Sequence, residues 1–104
     1  MSLRSEFLSA VPAVSDAEIT LNGKTFRIGV RVLSMHDYDE ALKSFQSADE
    51  SGRARIMAGW LTDPADGSPL FTPEDVAALP LTVLRRLLAL FTEVNLGTAE
   101  TKKN

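Results

Sequence analysis

The sequence predicts an α+β fold: an N-terminal β-hairpin followed by about four helices in a small helical domain. Three observations carry this expectation. Asn22-Gly23 stands between two runs that alternate apolar and polar residues, AEITL and KTFRIGVRVL. Such a dipeptide supplies the positive φ that both central positions of a type I′ turn require. After Ser34 the apolar spacing changes from two residues to three and four, the repeat of an amphipathic helix. Finally, Thr72-Pro73-Glu74-Asp75 combines a capping hydroxyl, a proline at the first helical position and acids in the first turn.

The chain reads as an N-terminal arm (1–16), one α+β domain (17–97) and a disordered polar tail (98–104). In the arm, Leu3 to Ser9 predicts a single helical turn with Leu3, Phe7 and Leu8 on one side, ended by Pro12. A loosely docked arm and a segment that orders on a partner both fit it. The hairpin is expected over 17–33. A two-residue loop pairs Ile19 with Phe26, Glu18 with Arg27 and Thr20 with Thr25. One face then carries Ala17, Ile19, Leu21, Phe26 and Ile28; the other carries a charge pair and a threonine pair. Val30 and Val32 extend the apolar face, and Arg27 and Arg31 point outward. Gly29 interrupts the second strand, which marks a bulge or a close approach.

Ser34 caps a helix over about 35–47, with Asp37 completing an approximate capping box. Met35, Tyr38, Leu42 and Phe45 form its apolar stripe, opposite Asp37, Asp39, Glu40 and Lys43. Ser47 to Gly52 reads as a polar loop. The next helix, about 53–62, places Ile56, Met57, Trp60 and Leu61 on one face, with the single tryptophan as core anchor, and Asp63-Pro64 stops it. Asp66-Gly67 marks a turn, and Pro69-Leu70-Phe71 is an extended apolar anchor. A short helix over 73–79 ends at Pro80. The last helix, about 82–95, carries Val83, Leu84, Leu87, Leu88, Phe91 and Val94 on a broad stripe, and Asn95-Leu96-Gly97 ends it.

Composition narrows the function. The chain has 104 residues, 44% hydrophobic, with a net charge of -3, and its pI is near 5.0. Eleven scattered Lys and Arg give no basic footprint, which argues against a nucleic-acid partner. The absence of cysteine removes disulfides and thiolate metal sites and suits a reducing cytoplasm. The longest apolar run, Leu87 to Phe91, is far short of the ~20 residues of a membrane span, and MSLRSEFLSAVPAV lacks a signal-peptide core. A domain this small buries limited surface, so self-association is expected.

Chemistry-bearing groups do not assemble into a reactive set. His36 is the only histidine and falls in a helix's first turn. Asp37, Asp39 and Glu40 line a polar face, and Glu74 and Asp75 complement a helix dipole. Asp63 and Asp66 bracket a turn, but Pro64, Gly67, Ser68 and Pro69 occupy positions where a calcium loop wants oxygen ligands. No phosphate-binding, dinucleotide-binding or nucleophile-elbow pattern occurs. The expectation is a protein without enzymatic activity, metal or cofactor.

The order of these segments resembles the tail assembly chaperones of long-tailed, siphovirus-type bacteriophages and prophages. The similarity covers about residues 5 to 97: a short arm (SEFLSA), a hairpin whose second strand ends Val30-Arg31-Val32-Leu33-Ser34, the segment DPADGSPLFTPEDV, and an apolar last helix. Leu81-Thr82 departs from the pattern, where small or acidic residues are more usual. The resemblance implies a chaperone that binds the tape-measure protein and helps recruit tail tube subunits, in some cases through a frameshifted longer form. It also implies action in the host bacterial cytoplasm and absence from the mature virion. A long, partly apolar helical partner needs apolar cover. The candidate contact residues are Phe7 and Leu8 on the arm, Leu70 and Phe71 in the anchor, Leu90 and Phe91 on the last helix, and the outward Arg27 and Arg31. Core packing competes for the apolar members and simple solvation for the arginines. A structural head–tail connector or minor tail protein retained in the virion is the alternative; a nucleic-acid-binding regulator fits the acidic pI poorly.

Overall fold

A computed structural model describes residues 2–97. The expected tail, 98–104, lies outside the described residues. Eight elements follow in order: α1 (Leu3–Ala10), β1 (Val14–Leu21), β2 (Lys24–Arg31), α2 (Met35–Ser47), α3 (Glu50–Trp60), β3 (Leu61–Thr62), α4 (Pro73–Ala78) and α5 (Leu81–Leu96). This is the expected α+β architecture with one more helix and one more strand.

The hairpin forms in the predicted register, with Glu18 opposite Arg27, Ile19 opposite Phe26 and Thr20 opposite Thr25. Asn22 and Gly23 both have positive φ, 53° and 79°. The threonine hydroxyls meet at 2.9 Å. Two details differ. Strand β1 begins at Val14, so the arm is shorter than 1–16. Arg27 bonds Asp16 at 2.9 Å rather than the directly opposed Glu18, since a long guanidinium reaches the diagonal neighbour on the same face. Phe26 shares the apolar face but is partly exposed near the turn, where Lys24 lies over its ring.

The third strand has no signal in the sequence, because Leu61-Thr62 is too short to show a period. It pairs antiparallel with β2, Gly29 opposite Thr62 and Val30 opposite Leu61. This explains Gly29. The β1–β2 ladder runs through it without a bulge. A Cβ there would overlap the Thr62 hydroxyl, while lying 3.0 Å from Val14 Cγ1 and 3.3 Å from the Thr62 carbonyl oxygen. The Thr62 hydroxyl is itself buried without a hydrogen-bond partner. Leu61 is now the sheet's inner residue rather than the end of a helix. The Leu70 N–H donates to the Leu61 carbonyl, and the Asp63 N–H to that of Ser68, so residues 61–70 fold back as a small loop.

Helix starts follow their caps. Ser34, Asp49 and Thr72 accept from the backbone N–H three residues on, and Asp75 returns the bond to Thr72 in a full capping box. The Asp49 cap draws α3 back to Glu50, into what read as a polar loop. Ser2 caps α1 in the same way, which carries that helix beyond the expected single turn. Gly97 ends α5 in the left-handed conformation, its N–H donating to Glu93. Met35 leaves the predicted stripe and is 91% exposed. In the same first turn Tyr38 packs against Phe91, so Met35 points away from the face that α5 covers.

Helix α5 lies across the sheet and contacts both β1 and β2, while α3 contacts α2, α4 and β3. Ile19, Ile28, Val30, Leu61, Leu87 and Phe91 form the sheet–helix core together with Trp60, Met57 and Val76. At its centre Phe91 and Trp60 stack in parallel, ring centroids 3.9 Å apart. Tyr38 covers the outer face of Phe91 at 5.6 Å, and Phe45 meets Trp60 at 5.5 Å. Asn95 fastens the end of α5 to the sheet: its side-chain oxygen accepts from the Leu33 N–H at 2.7 Å, and its amide donates to the Arg31 and Phe91 carbonyls. Each such bond contributes about 0.5–1.5 kcal/mol. The Arg86 guanidinium adds a donor to the Thr20 carbonyl.

Two glycine variants separate close approach from open space. Gly29→Ala is expected to destabilise the fold by about 1–3 kcal/mol through the clash with Thr62. Gly59→Ala, on an open face of α3, is expected to stabilise it by about 0.5–1 kcal/mol. Urea titration of both against wild type checks this, and a harmless Gly29→Ala contradicts the tight β2–β3 packing.

Candidate partner-binding surfaces

The structure scatters the residues singled out from the sequence. Phe7 and Leu8 are 68% and 54% exposed on α1, a helix with no buried residue. Arg27 and Arg31 lie exposed on the outer face of the hairpin, Arg27 held by Asp16. Leu70 and Phe71 are half-buried and pack against the core, as does Leu90. Phe91, offered both as a contact residue and as part of the apolar stripe, belongs to the core: it has no exposed surface. Its stripe on α5 faces the sheet, so the largest side chain of that stripe fills the centre.

What the fold assembles instead is a half-open trough of about 750 Å³ between α3, α4, α5 and the end of α2. Its apolar lining includes Phe45, Met57, Val76, Leu79, Leu84 and Leu88. Leu81 stands exposed at its margin. Charges sit around it: Asp49 and Glu50 at the start of α3, and Arg53 and Arg85 on the flanking helices. A second depression of about 410 Å³ shares Asp49, Glu50, Ala54 and Ala77 and adds Glu74, so the trough continues into an acidic end.

Each wall has a local cause. Pro73 and the Thr72–Asp75 capping box set the direction of α4 and turn Val76 inward. Pro80 breaks the chain between α4 and α5, which opens an angle rather than a continuous helix. Arg53 closes the end of α2: its guanidinium donates to the Phe45 carbonyl at 3.0 Å and the Gln46 carbonyl at 3.2 Å, and stands over the Phe45 ring. These bonds satisfy carbonyls that the helix end leaves without partners. The trough could not be read from the sequence, because its residues come from four helices and no single stripe encloses it.

Elsewhere the polar groups serve the backbone. Asp63 accepts from the Ala65 N–H at 2.9 Å; Asp66 accepts from the Ser68 hydroxyl at 2.7 Å and N–H at 3.0 Å. The Ser68 hydroxyl, followed by its N–H, holds the Asp66 carboxyl below its ordinary pKa. His36 lies exposed in the first turn of α2. Among the described residues, no group of three or more His, Cys, Asp or Glu side chains could hold a metal ion, and no helix is long and apolar enough to cross a membrane. No family model, curated protein or solved structure matches the chain.

The Asp66 bend has a pH signature. Because the folded pKa is depressed, its contribution is present above the unfolded value of about 3.9 and is lost as pH falls through the folded pKa. In an NMR carboxyl titration, Asp66 should titrate below the ordinary aspartate value, and Ser68→Ala should move its midpoint upward. An unchanged midpoint contradicts the assigned cause.

Proposed function

We propose that this protein is a non-enzymatic tail assembly chaperone of a long-tailed bacteriophage or prophage, and that its trough covers an apolar stripe of the helical tape-measure protein. The observation that carries this reading is an apolar trough walled by helices, with charge placed around it. An α-helix with its side chains is about 10–12 Å across, and laying an amphipathic helix into an apolar groove is a recurring mode of recognition. Exposed apolar surface that a small domain keeps open marks an interaction site. The segment order shared with the chaperone family supports the choice of partner.

On this reading the protein acts in the host cytoplasm, shields the tape-measure chain until tube subunits assemble around it, and leaves before the particle is finished. Recruitment of tail tube subunits follows from the same resemblance. Acidic rim groups favour a partner stripe flanked by Lys or Arg, and Arg85 favours an acidic group on the partner.

Co-expression with a tape-measure protein from the same phage or prophage tests the proposal. Wild type is expected to keep that partner soluble and to co-purify with it. Leu84→Asp, which puts a charge on the trough floor, should lose most of the rescue, whereas Arg31→Ala on the distant hairpin should retain it. No soluble complex with wild type contradicts the chaperone reading, and recovery of the protein from purified particles favours a structural virion component instead.

A further inference from the structure

The same trough has a second occupant whose chemistry is on this chain. Helix α1 makes no buried contact with its own body. Leu3, Phe7 and Leu8 occupy one side of it at spacings of four and five, Arg4 falls between Phe7 and Leu8 around the helix, and Ser5, Glu6 and Ser9 take the other side. Val11 follows, also exposed. A helix of this pattern, left in water, is an apolar surface without cover. The trough offers the complement: an apolar floor from Met57, Val76, Leu84 and Leu88, and an acidic end from Asp49, Glu50 and Glu74. Arg4 is the one cation on the arm's apolar side, and the acidic end is where it would be received.

We infer that α1 of one copy docks in the trough of a second copy. Docking within one chain is disfavoured by connection. Only Val11, Pro12 and Ala13 link α1 to β1, a reach of about 10 Å. Strand β1 is an edge strand of the sheet, and none of the residues lining the trough comes from a strand. Every copy carries one arm and one trough, so each arm–trough contact joins two different surfaces. Reciprocal exchange closes it as a dimer, and serial exchange extends it to a ring or a chain. The arm then resembles the helical partner proposed above and would compete with it. Self-association of this kind stands apart from the tape-measure reading, since its test uses this protein alone.

The test is complementation in analytical ultracentrifugation and native mass spectrometry of the full chain. Wild type is expected to self-associate with concentration. Phe7→Asp on the arm and Leu81→Glu at the trough margin should each weaken association at least tenfold while leaving circular dichroism unchanged, both side chains being exposed. An equimolar mixture should associate again, because the intact trough of the first variant receives the intact arm of the second. Complexes containing one of each variant are the expected species. Should Leu81→Glu fail to fold, the charge pair decides: Arg4→Glu should weaken association, and Glu50→Lys in the same chain should restore it. A monomeric wild type near millimolar concentration, a Phe7→Asp variant that associates like wild type, or a mixture that stays monomeric overturns the inference.

Discussion

The structure depends on the stack of Trp60 against Phe91. The two rings are parallel within 5° at 3.9 Å, and they join α3 to α5, helices separated by a loop, a strand and α4. Tyr38 and Phe45, two turns apart on α2, close the ends of the stack. One helix therefore clasps the other two through four aromatic rings. Aromatic pairs of this kind add about 0.5–1.5 kcal/mol each beyond the area they bury. Their larger effect is geometric. Met57 precedes Trp60 by three residues and Leu88 precedes Phe91 by three, so the stripes that meet at the stack run on into the trough. Three of the four helices that form the trough, α2, α3 and α5, are thus joined by the stack.

The sheet is held by closer tolerances. Val30 and Leu61 sit almost fully buried as a cross-strand pair, and the adjacent Gly29–Thr62 pair leaves no room for a Cβ. Asn95 then ties the last turn of α5 to the point where β2 ends and the chain turns toward α2. A side-chain amide can serve a donor and acceptors at once, which suits a junction where a strand end and a helix end both leave backbone groups unpaired. These fastenings tie the sheet to α5, and the most exposed large apolar side chains, Met35, Leu3, Leu81 and Phe7, lie on helices.

Local signals in the sequence carried the elements well and their assembly poorly. Asn22-Gly23 and the alternation around it were enough for the hairpin register, because turn chemistry and side-chain period are both short-range. Thr72-Pro73 and Gly97 placed helix ends for the same reason. Strand β3 escaped because two residues have no period and its pairing partner lies about thirty positions away. Asn95 read as a stop signal, since nothing nearby in sequence shows that its amide meets Leu33 and Arg31. Phe91 was left between partner contact and core packing, because a stripe as broad as that of α5 does not say which residue faces the sheet. The trough is the extreme case, assembled from four helices whose relative angles come from tertiary packing. The absence of a reactive set was a reading of composition, and the proposal that the protein works through its surface rests on the geometry of that trough.

The most direct measurement is a methyl NMR titration of the full chain with a synthetic amphipathic helix from a tape-measure protein, the partner proposed above. If the trough is the binding surface, the Met57, Val76, Leu84 and Leu88 methyl resonances shift with saturation, while those of Ile19, Ile28 and Val30 under the sheet stay in place. Shifts confined to the hairpin, or none at millimolar peptide, would contradict a binding trough.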